Sequence, residues 1–133
     1  MAINVLLVDD SSIVRKSIRK TLAMTSLEFG AVLEAENGLE ALEVLAEHPV
    51  DLLFLDINMP VMNGIDFLRT LRASSASFRD TAVVVVSTEG SKVRAEELQS
   101  LGIRAQLRKP VRPETLSDLI ATVLKGESHE SIP

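Results

Sequence analysis

The chain has 133 residues, of which 46% are hydrophobic and 25% are charged, a composition typical of one compact domain. A net charge of -5 argues against a nucleic-acid partner, because binding to a phosphate backbone needs a concentrated basic face. Without cysteine the chain can form neither disulfides nor thiolate metal sites. The N-terminus lacks the pattern of a signal peptide, and no apolar run approaches the roughly 20 residues of a membrane helix. We therefore expect a cytoplasmic protein.

Five short segments have the composition of β-strands. Residues 3–8, 52–55 and 82–86 are apolar runs, the pattern of strands that are covered on both faces of a parallel sheet. Residues 31–35 and 104–107 mix apolar side chains with charged or polar ones. This mixture suits the two edges of a sheet better than its interior.

A first helix follows the first strand and begins at Ser11 or Ser12. Its apolar face is expected to contain four residues: Ile13, Val14, Ile18 and Leu22. Its other side carries four basic residues, which we expect to be solvated: Arg15, Lys16, Arg19 and Lys20. Gly30 is expected to separate this helix from the second strand.

Four more helical segments alternate with the remaining strands. One begins after the turn at residues 37–38, and another follows Gly64. A third, residues 93–101, is expected to end at Gly102, because a left-handed residue after a helix favours glycine. The last, residues 113–124, has apolar residues at three- and four-residue spacing.

Five β-α units imply a parallel sheet with helices on both faces and right-handed crossovers. With the apolar strands inside and the mixed strands at the edges, the strand order is 2-1-3-4-5. This is the order of flavodoxin-like α/β folds, whose ligands bind at the switch point between strands 1 and 3. We expect one domain at residues 1–125, with five helices, and a short flexible tail at residues 126–133.

Three acidic residues follow the two strands that flank this switch point. Asp9 and Asp10 come after strand 1, and Asp56 comes after strand 3. Carboxylates crowded at one place repel each other, and a divalent cation relieves that repulsion. Hard oxygen donors favour Mg²⁺ over zinc, with Mn²⁺ as the alternative metal. Because Mg²⁺ commonly accompanies phosphates, these residues indicate phosphoryl chemistry.

Two further polar residues end the neighbouring strands at the same predicted edge. Ser87 follows strand 4 and offers a hydroxyl, and Lys109 follows strand 5 and offers an ammonium group. Such groups can hold the oxygens of a phosphoryl group in transfer. Asp56 would then be the nucleophile and form an aspartyl phosphate.

Together these motifs resemble those of response-regulator receiver domains, in particular the stand-alone, CheY-like kind. The resemblance covers nearly all of residues 3–124. It rests on five features: the acids at 9 and 10, the block LFLDINMPVMNG around Asp56, Ser87 after VVVV, the pair Lys109-Pro110, and the pattern at residues 35–42. Each feature alone is a weak signal, but their order and their positions at strand ends make the combination specific.

The resemblance implies a role for each site residue. It makes Asp56 the phosphoacceptor, and Asp10 and Asp56 direct Mg²⁺ ligands. It adds the main-chain carbonyl of Asn58 as a third ligand and gives Asp9 a contact through water. Ser87 corresponds to the switch hydroxyl, and Lys109 to the lysine that pairs with the phosphate.

The resemblance also implies partners and a type of activity. Receiver domains accept phosphate from a phosphohistidine on a sensor histidine kinase or a histidine phosphotransfer protein, and the basic first helix is a candidate docking surface for that donor. They catalyse their own phosphorylation and dephosphorylation but are not enzymes for an external metabolite. We expect no DNA-binding module, so the output would pass through a downstream protein partner that the sequence does not identify.

Two positions depart from the family pattern and bear on the output. An aromatic residue is usual three positions before the lysine, whereas this chain has Gln106, and Val111 stands where phenylalanine is frequent. Phosphorylation chemistry should survive, because no reacting group is missing. The usual coupling between the hydroxyl and the aromatic ring cannot operate in its familiar form.

Several alternatives remain open from the sequence. Asp9 could cap the first helix, and Asp56 could stabilise a turn. The protein could be a phosphate sink, or an interaction module that works without phosphorylation. A Mg²⁺-dependent aspartyl-phosphate phosphatase is less favoured, because that class needs an aspartate where this chain has Asn58.

Overall fold

The structure is a computed structural model that describes residues 2–56, 61–73, 81–87, 100–108 and 111–124. Its strands are β1 (Ile3–Val8), β2 (Phe29–Ala35), β3 (Leu52–Leu55), β4 (Ala82–Ser87) and β5 (Ala105–Arg108). The helices of this part of the chain are α1 (Ser12–Ala23), α2 (Gly38–Glu47), α3 (Gly64–Ala73) and α4 (Pro113–Leu124).

All four strand pairings are parallel, and the strand order is β2-β1-β3-β4-β5. The predicted flavodoxin-like order is therefore confirmed. The three apolar strands lie inside the sheet, because side chains on both of their faces are covered by helices. The two mixed strands lie at its edges, as their composition predicts.

Alternate side chains of the interior strands point into two separate cores. Leu53 lies in a buried cluster with Leu45 of α2 and Leu68 of α3. Its neighbour Phe54 lies in a second cluster, which includes residues of α1 and α4 such as Leu22 and Leu119. The sheet is thus the middle layer of three, with two of the described helices on each face.

The helix expected at residues 93–101 falls mostly outside the described residues, as does the tail at 126–133. The end of that segment is described, and Gly102 has a φ of 78°. The Arg72 guanidinium of α3 donates hydrogen bonds to the carbonyl oxygens of Leu101 and Gly102, at 2.8 and 3.1 Å. Burial lowers the pKa of Arg72. The left-handed glycine is thus confirmed, and a charged donor satisfies the adjacent carbonyls.

The predicted faces of α1 are wrong for two residues. Ile13 is 78% exposed, whereas Arg15 is only 8% exposed. The buried stripe of this helix consists of Arg15, Ile18, Thr21 and Leu22. Ile13 lies five residues before Ile18, about 140° around the helix axis, and so faces solvent. Arg15 lies three residues before Ile18 and falls on the buried side.

The second strand begins at Phe29, earlier than predicted, so Gly30 lies inside β2 rather than before it. A side chain at Gly30 would collide with the Asn4 carboxamide oxygen. That oxygen accepts a hydrogen bond from the amide of Ala31, at 3.0 Å. The glycine therefore allows a side chain from β1 to approach the edge strand.

Candidate functional site

The register of the central strands brings the predicted acids to one edge of the sheet. Val8 lies opposite Leu55, and the amide of Asp56 donates a hydrogen bond to the carbonyl oxygen of Val8, at 2.9 Å. Asp9 continues from β1 on the other side, where its amide donates to the carbonyl oxygen of Ala35, at 3.1 Å. The main chain therefore fixes where two of the three acids leave the sheet.

The carboxylates of Asp9, Asp10 and Asp56 form one cluster. One oxygen from each lies within 4.8 Å of the others. Asp9 is buried, Asp56 is half-buried and Asp10 is exposed, so the cluster is accessible from solvent on one side. These hard oxygen donors fit Mg²⁺, which keeps several waters and takes only one or two protein carboxylates directly. The sequence-based expectation that these acids converge is therefore met.

Helix capping does not account for Asp9. The N-cap of α1 is Ser11, whose hydroxyl accepts a hydrogen bond from the amide of Val14, at 3.3 Å. The Asp9 carboxylate instead accepts from the amide of Ser11, at 2.9 Å. Asp9 thus orders the turn that leads into the helix, and Ser11 is the N-cap of α1.

Arg15 and Glu34 belong to the surroundings of the cluster, and sequence reasoning missed both. The Arg15 guanidinium donates a hydrogen bond to the carbonyl oxygen of Asp9 and another to the carboxylate of Glu34, at 2.7 Å. It lies 3.9 Å from the carboxylate of Glu36. The sequence does contain a sign of the burial of Arg15. The residue lies three positions before the apolar Ile18 and therefore on the same side of the helix.

Glu34 joins two arginines of α1 to the edge strand. Its second carboxylate oxygen accepts a hydrogen bond from Arg19, at 2.9 Å. The pKa of Glu34 is lowered, chiefly because its carboxylate accepts the hydrogen bond from Arg15, and Arg19 acts in the same direction. The carboxylate is therefore ionised near neutral pH and compensates the charge of the buried Arg15.

The chain that follows the cluster rejoins the described structure at Val61. This residue is 79% exposed and has a φ of 67°, an unfavourable conformation for a β-branched side chain. The carbonyl oxygen of Met62 then accepts a hydrogen bond from the amide of Gly38, at 3.1 Å. Asn63 caps α3, since its side-chain oxygen accepts from the amide of Asp66, at 2.9 Å.

The remaining predicted site residues are described only in part. Asn58 and Lys109 lie outside the described residues, as does Pro110. The main chain of Ser87 ends β4 and lies opposite Arg108 in β5. Gln106 lies opposite Val85 and is half-buried, so it is less solvated than an exposed edge residue.

The sequence matches the family model described as "Response regulator receiver domain" over residues 5–121. A Campylobacter jejuni protein named "Chemotaxis protein CheY homolog" is 37% identical over 126 residues, which cover 94% of this chain and 95% of that protein. A Helicobacter pylori protein named "Chemotaxis protein CheY1" is 38% identical over 120 residues, 90% of this chain and 94% of that protein.

Solved structures have the same fold. The chemotaxis response regulator CheY4 of Vibrio cholerae is 32% identical, with a TM-score of 0.75, and the match covers 94% of this chain and 98% of that one. The REC domain of AraT, a response regulator from Geobacillus stearothermophilus, is also 32% identical. Its TM-score is 0.82, and the match covers 95% of both chains.

Proposed function

The chain belongs to the response-regulator receiver domain family, and we propose that it is a phosphorylation-dependent signalling switch with Asp56 as its phosphoacceptor. The observation that carries this proposal is the cluster of Asp9, Asp10 and Asp56 at the switch point of the sheet. Among the described residues, it is the one group of three acids close enough to share a metal ion. It lies where ligands of this fold class bind.

The Mg²⁺ ligands in this proposal are the carboxylates of Asp10 and Asp56 and the main-chain oxygen of Asn58. Asp9 would contact the ion through water, as the family resemblance implies. When bound, Mg²⁺ neutralises charge on the phosphoryl oxygens and on the crowded carboxylates. The main-chain hydrogen bonds of Asp9 and Asp56 fix where both residues leave the sheet before any ligand arrives.

In the transfer step, a carboxylate oxygen of Asp56 attacks the phosphorus of a phosphohistidine. The new O–P bond forms as the N–P bond breaks, and the departing imidazole keeps the electron pair and takes up a proton. We assign Lys109 and Ser87 to the binding of the phosphoryl oxygens. Attack by water on the aspartyl phosphate later releases inorganic phosphate and restores the carboxylate. No external metabolite is turned over.

The phosphodonor would be a sensor histidine kinase or a histidine phosphotransfer protein, and the signal would leave through a downstream protein in the cytoplasm. The Campylobacter and Helicobacter relatives are named as chemotaxis proteins, which favours a chemotaxis-like pathway. No helix in the described part of the chain could span a membrane.

A phosphate sink is the second candidate, and Gln106 favours it. This half-buried residue stands where the family usually has an aromatic switch residue. A carboxamide cannot reproduce the burial of an aromatic ring, so phosphorylation would change residues 100–108 less than in a typical switch.

Intact-mass measurement with Mg²⁺ and acetyl phosphate tests the chemistry. The wild type should gain one phosphoryl group, and Asp56→Asn should gain none. Asp66→Asn, which removes an exposed carboxylate on α3, is the matched control and should be phosphorylated normally. Stoichiometric labelling of Asp56→Asn would refute the site, and a wild type that reacts with no phosphodonor would favour the phosphorylation-independent interaction module.

Amide chemical shifts with and without beryllofluoride separate a switch from a sink. Large changes that extend to residues 100–108 would support the switch. Changes confined to the neighbourhood of Asp56 would support the sink instead.

A further inference from the structure

We propose that Arg15 is a positioning residue for the carboxylate cluster, because its guanidinium fixes the peptide group that joins Asp9 to Asp10. The inference rests on the proposed function, in which the cluster binds Mg²⁺. The affinity for Mg²⁺ would then depend partly on Arg15, a residue of α1 that cannot itself be a metal ligand.

Arg15 is buried to an extent that needs an explanation. Its side chain is 9% exposed, and burying a guanidinium is costly unless its charge and its donors are satisfied. Glu34 satisfies one donor at 2.7 Å, and Glu36 adds a second negative charge at 3.9 Å. A surface location would avoid this cost. The buried position is what brings the guanidinium to the carbonyl oxygen of Asp9.

That carbonyl belongs to the peptide group between two of the three acids. A peptide group is planar and rigid, so a donor on the Asp9 oxygen also fixes the amide nitrogen of Asp10. The amide of Asp9 donates a hydrogen bond to the carbonyl oxygen of Ala35, and the carboxylate of Asp9 accepts one from the amide of Ser11. With Arg15 on the remaining side, the main chain is held before and after the Asp9 α-carbon.

Positioning and simple electrostatics predict opposite effects on Mg²⁺ binding. A positive charge near the cluster repels a cation, so its removal would tighten binding if charge were all that mattered. If Arg15 acts by positioning, its removal loosens the Asp9-Asp10 peptide group and weakens binding. We expect positioning to be the larger effect, because Asp10 is exposed and solvent there screens the charge of Arg15.

Arg19 provides a matched control on the same helix. Its guanidinium donates to Glu34 at 2.9 Å and to the carbonyl oxygen of Val32 at 2.7 Å. None of its hydrogen bonds within the described residues reaches Asp9. Arg19→Met thus removes one arginine and one Glu34 contact but leaves the Asp9 carbonyl bond intact.

The test is a Mg²⁺ titration of metal-free protein followed by ¹⁵N-¹H spectra, with the thermal midpoint in EDTA measured alongside. Arg15→Met should raise the Kd on the order of tenfold, the usual scale for residues that support metal ligands. Arg15→Lys keeps the charge but not the planar fork, and it should also raise the Kd. Arg19→Met should bind like wild type. Amide exchange of Asp10 should accelerate only in the Arg15 variants.

Three outcomes would overturn the inference. An unchanged or lower Kd in both Arg15 variants would refute positioning while the wild type still binds Mg²⁺. An equal rise in the Kd of Arg19→Met would mean that both substitutions act by lowering the general stability of the protein. If Arg15→Met does not fold, Arg15→Lys decides the question. A wild type that does not bind Mg²⁺ would refute the proposed function, and the inference with it.

Discussion

The main-chain amide of Gly38, the first residue of α2, donates a hydrogen bond to the carbonyl oxygen of Met62, 3.1 Å away. This bond ties the start of one helix to the loop that follows the candidate phosphoacceptor. A β-carbon at residue 38 would lie 2.8 Å from the side chain of Met62 and 2.9 Å from the β-carbon of Phe67. The close approach of the two segments therefore requires glycine.

Gly38→Ala should destabilise the protein by about 1–3 kcal/mol, because the added methyl group forces the two segments apart. Urea denaturation measures the effect. Leu39→Ala, at the 47% exposed neighbour, is the control and should cost less. A wild-type free energy of unfolding in Gly38→Ala would mean that the loop at Met62 moves aside without cost.

Val61→Gly should stabilise the protein by about 1 kcal/mol, because glycine adopts a φ of 67° without the steric cost that valine suffers. Little packing is lost, since Val61 is 79% exposed. Val61→Ala retains the β-carbon but not the branch, and its stability should lie between the other two. Thermal melting of the three proteins gives the order, and a Val61→Gly variant less stable than wild type would contradict it.

Asp56→Asn should raise the free energy of unfolding in metal-free buffer by up to about 1 kcal/mol, because it removes one of three mutually repelling charges. The same variant should lose most of the stabilisation that Mg²⁺ gives the wild type. Urea titrations with EDTA and with excess Mg²⁺ measure both effects. Equal stabilisation of the two proteins by Mg²⁺ would exclude Asp56 as a ligand.

Glu34→Gln should change the pH dependence of stability. The hydrogen bond from Arg15 lowers the pKa of Glu34 in the folded protein, so the unfolded chain takes up its proton first as the pH falls. The stabilisation by this carboxylate is complete above the ordinary glutamate pKa of about 4.3 and is lost as the pH falls through the lower folded-state pKa.

The free energy of unfolding of the wild type should therefore exceed that of Glu34→Gln by a constant amount near neutral pH, and by a smaller amount in acid. Urea denaturation at several pH values between about 7 and 3 measures the difference. A difference that grew in acid would reverse the sign of the proposed linkage.

The sheet and the cluster could be predicted from the sequence because both depend on local patterns. The apolar run at residues 52–55 has the pattern of a buried strand, and Asp56 then leaves the sheet at its carboxyl end. The burial of Arg15 could not be predicted in the same way. Residue type places an arginine on the surface, whereas its contacts with Asp9 and Glu34 depend on how α1 packs against the edge strand. The positive φ of Val61 likewise has no sequence signal, because a β-branched residue rarely adopts that conformation.

The hydrogen bond between Arg19 and Val32 has a consequence for association between molecules. The carbonyl of Ala35 points towards β1, where it accepts from Asp9, and successive peptide groups of a strand alternate in direction. The carbonyl of Val32 therefore points away from the sheet, on the open side of β2. A strand from another molecule could add here only by displacing a charged donor from that oxygen. The same arginine thus works against fibril-like growth from this edge at high protein concentration.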